Sequence, residues 1–164
     1  MLTVYGRILL AATGSGLILL GALGFQYLGG LAPCPMCIWQ RWPHALAILI
    51  GALAVTVLWR QRRWLALSGA GVMLVSAGLG LFHAGVEQGW WEGPATCSAG
   101  DPAALSADAL MNQIMEAPLV RCDEIVWEFL ALSMAGWNAL ISLALAGLWG
   151  ASALWWRMPF AKAE

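Results

Sequence analysis

Four cysteines carry the most evident chemistry of this chain. Cys34 and Cys37 form a Cys-x-x-Cys motif around a Pro-Met pair, whereas Cys97 and Cys122 stand singly. A disulfide between the first two would close a small strained ring that constrains little of the unfolded chain, so it would be a weak structural cross-link. A pair this close in sequence is better suited to thiol–disulfide exchange.

Arg41 strengthens this interpretation of the motif. It follows Cys37 by four residues, the spacing that places two side chains on the same face of a helix. The thiolate is the reactive form of cysteine, and a nearby cation or a helix N-terminus lowers the thiol pKa. The spacing therefore predicts an activated cysteine. The alternative for Arg41 is a side chain that extends to lipid headgroups.

Cys97 and Cys122 enclose a long segment. If they pair, closing that loop would stabilise the fold by roughly 3 kcal/mol, which is enough for a structural cross-link. Structure alone would explain this pair, but it does not explain a second, short-range pair as well. Two pairs favour a relay in which a partner reduces one disulfide and the other passes the electrons onward.

The elements that position these cysteines are predicted to lie in a membrane. The chain of 164 residues is 61% hydrophobic and 10% charged, with a mean hydropathy of +0.75, which excludes an ordinary soluble domain. A helix needs roughly 20 apolar residues to cross a bilayer. Four uncharged stretches meet that need, and we place helices at about 8–28, 42–59, 64–83 and 134–156. The first is longer than the usual ~7–15-residue core of a signal peptide, which is the alternative for it.

The basic residues give the orientation, because positive charges near helix ends are retained in the cytoplasm. An even number of spans places six of the eight Lys and Arg residues on one side: Arg7, Arg60, Arg62, Arg63, Arg157 and Lys162. Both termini are therefore predicted to be cytoplasmic, with external loops at about 29–41 and 84–133. The basic run at 60–63 is explained by this topology and does not indicate nucleic-acid binding.

All four cysteines fall in the two external loops. Beyond a bacterial inner membrane the compartment is oxidising, so an even set of thiols should pair. Zinc is the alternative ligand for four cysteines, but structural zinc motifs commonly use two close pairs of ligands. Two of these cysteines stand singly, and an oxidising compartment disfavours reduced ligands, so we expect no metal.

The long external loop has a pattern of its own. Asp101-Pro102 followed by helix-forming residues resembles a helix start, and apolar residues then recur on one face, namely Leu110, Met111, Ile114 and Met115. We expect a short amphipathic helix on the membrane surface, or one packed on the bundle. The predicted fold class is all-α: an integral membrane four-helix bundle with two external loops.

Two segments resemble the DsbB family of disulfide-bond formation proteins. Residues 25–26 (Phe-Gln) and 33–41 (Pro-Cys-Pro-Met-Cys-Ile-Trp-Gln-Arg) resemble the first external loop of that family. Cys122, followed at 127–130 by Trp-Glu-Phe-Leu, resembles the start of its last helix. The resemblance extends over the whole chain in topology and cysteine order, which implies one DsbB-like membrane domain over 1–164.

The resemblance implies a thiol:quinone oxidoreductase of the bacterial inner membrane, with its cysteine loops in the periplasm. Its partner would be a DsbA-like periplasmic thiol oxidase, and its cofactor a membrane quinone, either ubiquinone or menaquinone. Neither nucleic acid nor metal is implied.

The resemblance also implies separate roles for the residues. Cys97 corresponds to the cysteine that the reduced partner attacks, and Cys122 to the one that is released to attack Cys34. Cys37 would then be the thiolate that faces the quinone, with Arg41 stabilising its charge and helping to position the quinone. Two further residues match the family as neighbours of the quinone: Gln26 and His83.

A different class of protein remains open from the residues alone. A four-span membrane scaffold or adhesion protein with structural external disulfides would show the same composition and topology. Such a protein has no need of a Cys-x-x-Cys motif beside Arg41, and its bridges would resist mild reductants.

Overall fold

A computed structural model of the chain describes residues 3–94, 97, 106, 108, 111 and 120–154. The architecture of that part of the chain rests on four α-helices: α1 (Val4–Tyr27), α2 (Pro35–Val55), α3 (Arg62–Glu87) and α4 (Met134–Leu154). A 3₁₀ turn, Trp59–Gln61, leads from α2 into α3, and a hairpin of two short antiparallel strands, β1 (Glu128–Phe129) and β2 (Leu132–Ser133), leads into α4. The predicted all-α class is confirmed.

Three helical stretches are long and apolar enough to cross a membrane: Val4–Tyr27, Trp59–Glu87 and Met134–Leu154. The chain is thus a multi-pass membrane protein. α2 has a comparable length but is not among them, because the polar side chains Gln40, Arg41 and His44 in its first turns lower its hydropathy.

The ends of α2 differ from the apolar window that predicted a helix at about 42–59. The window begins only after the charge of Arg41, whereas the helix begins at the cap provided by Cys34. At the other end, the Thr56 backbone N–H and hydroxyl both donate to the Ala52 carbonyl, which ends the helix at Val55. The extra turns bring the whole Cys-x-x-Cys motif onto α2.

Small residues set the distance between α3 and α4. At Gly80 of α3, a Cβ atom would lie only 2.9 Å from the Ala139 nitrogen and 3.0 Å from the Ala135 carbonyl oxygen. Such close approach of backbones is common between helices in membranes. Farther along the same interface, the fully buried Trp149 ring packs against the backbone of Gly69. The core continues onto α1 and α2 through Ile8, Ala11, Ala47 and Ile50.

The hairpin before α4 turns through two residues in the left-handed region of φ, Leu130 (φ 51°) and Ala131 (φ 59°). The indole N–H of Trp137 donates to the Phe129 carbonyl at 3.0 Å and ties the hairpin to the first turn of α4.

The amphipathic helix predicted in the long loop lies outside the described residues, apart from Ser106, Asp108 and Met111. The same holds for Arg157 and Lys162, which entered the prediction of orientation.

Candidate functional site

The Cys-x-x-Cys motif forms the first turn of α2. Cys34 is the N-cap: its backbone is extended, and its sulfur accepts a hydrogen bond from the Cys37 backbone N–H at 3.2 Å. Pro35 occupies the first helical position, where a missing N–H costs nothing. The positive end of the helix dipole therefore faces the two sulfurs.

The two sulfurs lie 2.8 Å apart as free thiols, Cys34 buried and Cys37 partly exposed. Both precede the apolar part of α2. The hydrogen bond from Cys34 lowers the pKa of Cys37 from 9.0 to about 7, despite the opposing effect of burial; the charge of Arg41 lowers it further and that of Glu87 raises it. The same hydrogen bond, together with burial, raises the pKa of Cys34. Cys37 is thus the thiolate of the pair.

A metal ion is the other ligand to consider here, because the Cys34, Cys37 and His83 donor atoms all lie within 4.8 Å of one another. Two thiolates on a tetrahedral zinc ion, each at about 2.3 Å from it, are separated by about 3.8 Å. The observed 2.8 Å between the sulfurs is shorter. Their arrangement favours bonding to each other over shared coordination of an ion.

The second pair of cysteines forms a disulfide, Cys97–Cys122, with Cα atoms 5.0 Å apart. The Cys122 backbone N–H also donates to the Cys97 carbonyl at 3.0 Å. Both residues are buried in one cluster with Cys34, Met36 and Val86. The long loop therefore brings its disulfide onto the free thiols at the start of α2.

Arg41 and Gln26 contact each other across α1 and α2. The Arg41 Nη1 donates to the Gln26 Oε1 at 2.6 Å. Arg41 lines the cavity described below, whereas Gln26 is not among the residues that line it. The structure therefore places Gln26 as the hydrogen-bond partner of Arg41.

His83 lies at the centre of a buried polar group near the C-terminal end of α3. Its Nε2 is 3.6 Å from the Cys34 sulfur and 3.8 Å from the Glu87 Oε1, and its Nδ1 is 2.8 Å from the Gln40 Nε2. The Glu87 side chain is 6% exposed, and its Oε2 has no hydrogen-bond partner. Asn138 of α4 completes the group by donating to the Gln40 Oε1 at 2.7 Å.

A cavity of about 420 Å³ opens beside these residues. Apolar side chains of α1, the hairpin and α4 form most of its wall, and Phe25 and Trp127 meet there with ring centroids 5.2 Å apart. Its polar groups come from the site: Cys34, Cys37, Arg41, His83 and Glu87 all line it. Such a site suits an apolar ring whose polar substituents are recognised at one end.

Comparison with known proteins identifies the family. A sequence profile described as Disulfide bond formation protein DsbB matches residues 6–152, nearly the whole chain. The chain belongs to the DsbB family. It is 33% identical to Disulfide bond formation protein B of Polaromonas sp. strain JS666, with 87% of this chain and 88% of that protein covered. Disulfide bond formation protein B 2 of Pseudomonas aeruginosa is 30% identical, with 77% of each chain covered. No solved structure matches the chain significantly.

Membership of the DsbB family makes the chain a disulfide oxidoreductase. The predicted site residues can therefore be compared with their positions in the structure. The structure brings together Cys34, Cys37, Arg41 and His83 around one cavity, with the Cys97–Cys122 disulfide packed against Cys34.

Sequence reasoning missed three polar residues of the site: Gln40, Glu87 and Asn138. Glu87 could have been found, because it follows His83 by four residues and so shares its helix face. Gln40 and Asn138 lie near the ends of apolar stretches, and their contact joins two helices far apart in sequence.

Proposed function

We propose that this chain reoxidises a DsbA-like periplasmic thiol oxidase and passes the electrons through its two cysteine pairs to a membrane quinone. The observation that carries the proposal is the single buried cluster that holds the Cys97–Cys122 disulfide and Cys34, next to the apolar cavity that Cys37 lines. A disulfide that served only as a structural cross-link would not need Cys34 and the cavity beside it.

The exchange begins at the long loop. A thiolate of the reduced partner attacks Cys97, forms a mixed disulfide and releases Cys122 as a thiolate. Cys122 then attacks Cys34 of the oxidised Cys34–Cys37 pair, and the electron pair of the broken bond goes to Cys37. The charge of Arg41 and the N-terminus of α2 stabilise the Cys37 thiolate that leaves, so attack at Cys34 is favoured.

The cycle closes by two further exchanges. The second thiolate of the partner attacks the mixed disulfide, which releases the oxidised partner and the Cys97 thiolate. Cys97 then attacks Cys122, which re-forms the Cys97–Cys122 bond and leaves Cys34 and Cys37 reduced. This is the combination of one disulfide and two free thiols that the structure describes.

The residues of the cavity fit a quinone, ubiquinone or menaquinone. The wall is mostly apolar, and the guanidinium of Arg41 and the buried Glu87 Oε2 provide polar groups among the lining residues. Arg41 would hold a quinone oxygen, and the Cys37 thiolate would face the ring. When bound, a quinone supplies the acceptor for two electrons and two protons, which lets Cys34 and Cys37 re-form their disulfide.

The proposed setting is the bacterial inner membrane. α2 would be the fourth span beside α1, α3 and α4, and the chain would form a single domain with both termini in the cytoplasm and the cysteine loops in the periplasm. Two basic residues support this orientation: Arg60 in the 3₁₀ turn after α2, and Arg63 in the first turn of α3.

Anaerobic titration of the purified protein with a reduced thioredoxin-fold dithiol tests the proposal. Quinone absorbance should fall in step with oxidation of the added dithiol, and Cys37→Ser should abolish the change while the Cys97–Cys122 pair still exchanges. A quinone-site competitor should block the wild-type reaction. Disulfides that resist the dithiol, or full turnover by Cys37→Ser, would instead support the scaffold alternative.

A further inference from the structure

A chain of hydrogen bonds runs through the helices and ends at the Cys34 sulfur. His44 Nε2 lies 2.9 Å from Asn138 Oδ1, and Asn138 Nδ2 donates to Gln40 Oε1 at 2.7 Å. Gln40 Nε2 lies 2.8 Å from His83 Nδ1, and His83 Nε2 lies 3.6 Å from Cys34 Sγ. His44, Gln40, His83 and Cys34 are all buried.

The Met36 carbonyl fixes the direction from donor to acceptor along this series of hydrogen bonds. Gln40 Nε2 donates to that carbonyl oxygen at 3.2 Å, and a carbonyl only accepts, so the nitrogen of the Gln40 amide must lie on this side. Its second N–H then points to His83 Nδ1, which must be the unprotonated ring nitrogen. The proton of a neutral His83 ring is therefore on Nε2, facing Cys34.

The remaining hydrogen bonds of this series run in the same direction. Since Gln40 presents its Oε1 to Asn138, the Asn138 amide must present its NH₂ group there and its oxygen to His44. His44 then donates from Nε2. Every link has its donor on the side away from the sulfur, and hydrogen bonds aligned in this way polarise one another.

We propose that Gln40 and Asn138 are positioning residues that hold His83 as an Nε2–H donor to Cys34, and thereby stabilise negative charge on the Cys34 sulfur. The inference rests on the proposed relay. It applies to the step in which Cys97 attacks Cys122: one S–S bond forms between them, the Cys122–Cys34 bond breaks, and its electron pair goes to Cys34. No external oxidant or reductant takes part.

Other charged and titratable groups also face the Cys34 sulfur or its cavity. Cys37 and Arg41 come from α2, Glu87 from α3, and Arg121 and Glu124 from the segment before the hairpin. The Glu87 Oε1 lies on the Nε2 side of the His83 ring, so a carboxylate there favours the same Nε2–H form. The Cys122 backbone also forms a hydrogen bond with the His83 ring. None of these groups supplies a donor to Nδ1, which is the contribution of Gln40.

Nitrogen NMR of the full chain in detergent micelles tests the tautomer directly. The chain has two histidines, so ¹⁵N-histidine labelling gives two ring systems, and His83→Ala assigns them. At neutral pH, His83 should show a protonated Nε2 and an unprotonated Nδ1. In Gln40→Glu, a carboxylate replaces the donor and Nδ1 should become protonated. The same change at the exposed Gln88 is the matched control and should leave the ring unchanged. A wild-type His83 protonated on Nδ1 would overturn the inference without any variant.

Thiol reactivity tests the consequence for Cys34. In a Cys37→Ala background with Cys97 and Cys122 paired, Cys34 is the single free thiol, and its alkylation rate near neutral pH reports its thiolate fraction. Gln40→Met should slow alkylation about tenfold, as expected for weakening a hydrogen bond to a charged group. His83→Ala should cause a similar loss, and the double variant should lose little more. An unchanged rate in Gln40→Met would contradict the inference.

The NMR and alkylation experiments test the positioning of His83 independently of the proposed function. If dithiol oxidation never reduces quinone but His83 has its proton on Nε2 and Gln40→Met slows alkylation, the relay is wrong and the positioning of His83 stands. If quinone is reduced normally while the tautomer or the alkylation rate disagrees, the positioning role is wrong and the relay stands.

Discussion

Arg41 and Gln26 form a short hydrogen bond between α2 and α1, with the Arg41 Nη1 donating to the Gln26 Oε1 at 2.6 Å. This contact directs the guanidinium toward the cavity that Cys37 shares. Both residues matched the family as neighbours of the quinone, but the structure gives them different contacts. Gln26 contacts Arg41, and Arg41 lines the cavity.

The first prediction concerns this pair. Arg41→Met should raise the KM for quinone at least tenfold, because it removes a positive charge that lines the cavity. Gln26→Met should raise it by about threefold, since the charge remains and only its orientation is lost. Steady-state kinetics with a short-chain quinone would measure both. If Gln26→Met still weakens quinone binding in an Arg41→Met background, Gln26 contacts the quinone itself.

The second prediction concerns the pH dependence of Cys37. Because its pKa is lowered to about 7, the reduced protein should gain thiolate, and react faster with iodoacetamide, as pH rises from 6 to 8. An ordinary thiol with a pKa of 9.0 would show that rise about two pH units higher. Cys34→Ala removes the main cause of the shift and should move the profile upward. A wild-type profile centred near 9 would contradict the assignment of Cys37 as the thiolate.

Composition and cysteine chemistry allowed much of this site to be predicted. Long uncharged stretches have few structures available other than membrane helices. The i to i+4 spacing of Cys37 and Arg41 needs only local helix geometry, and both residues line the same cavity. The helical class and the shared cavity of Cys37 and Arg41 could be anticipated because each depends on residues close in sequence.

Contacts between distant helices could not be predicted in the same way. The bond between Asn138 and Gln40 joins residues 98 positions apart, and nothing local to either residue indicates the other. Hydropathy misplaces the start of α2 for a related reason: it reports where charge ends, whereas a helix begins where a side chain caps its first N–H groups. Cys34 serves as that cap in addition to its redox chemistry.

The third prediction concerns the contact of α3 with α4. Gly80→Ala should destabilise the fold by about 1–3 kcal/mol, because the added methyl group would meet the backbone of Ala139 and Ala135. Gly78 is a matched control on the same helix: a Cβ there meets no atom within 4 Å, so Gly78→Ala should leave stability unchanged or raise it slightly. Unfolding in mixed micelles would measure both variants. Equal effects at the two glycines would contradict the close approach at Gly80.

The last prediction concerns the hairpin whose residue Phe129 lines the cavity. Ala131 has a φ of 59°, a conformation that costs a residue with a side chain about 1 kcal/mol and costs glycine almost nothing. Ala131→Gly should therefore stabilise the fold slightly, by less than 1 kcal/mol, because glycine also gains freedom in the unfolded chain. Ala131→Val, which is stiffer at that φ, should destabilise it. Thermal unfolding would rank the three proteins. If valine proved as stable as glycine, the turn would not require the left-handed conformation.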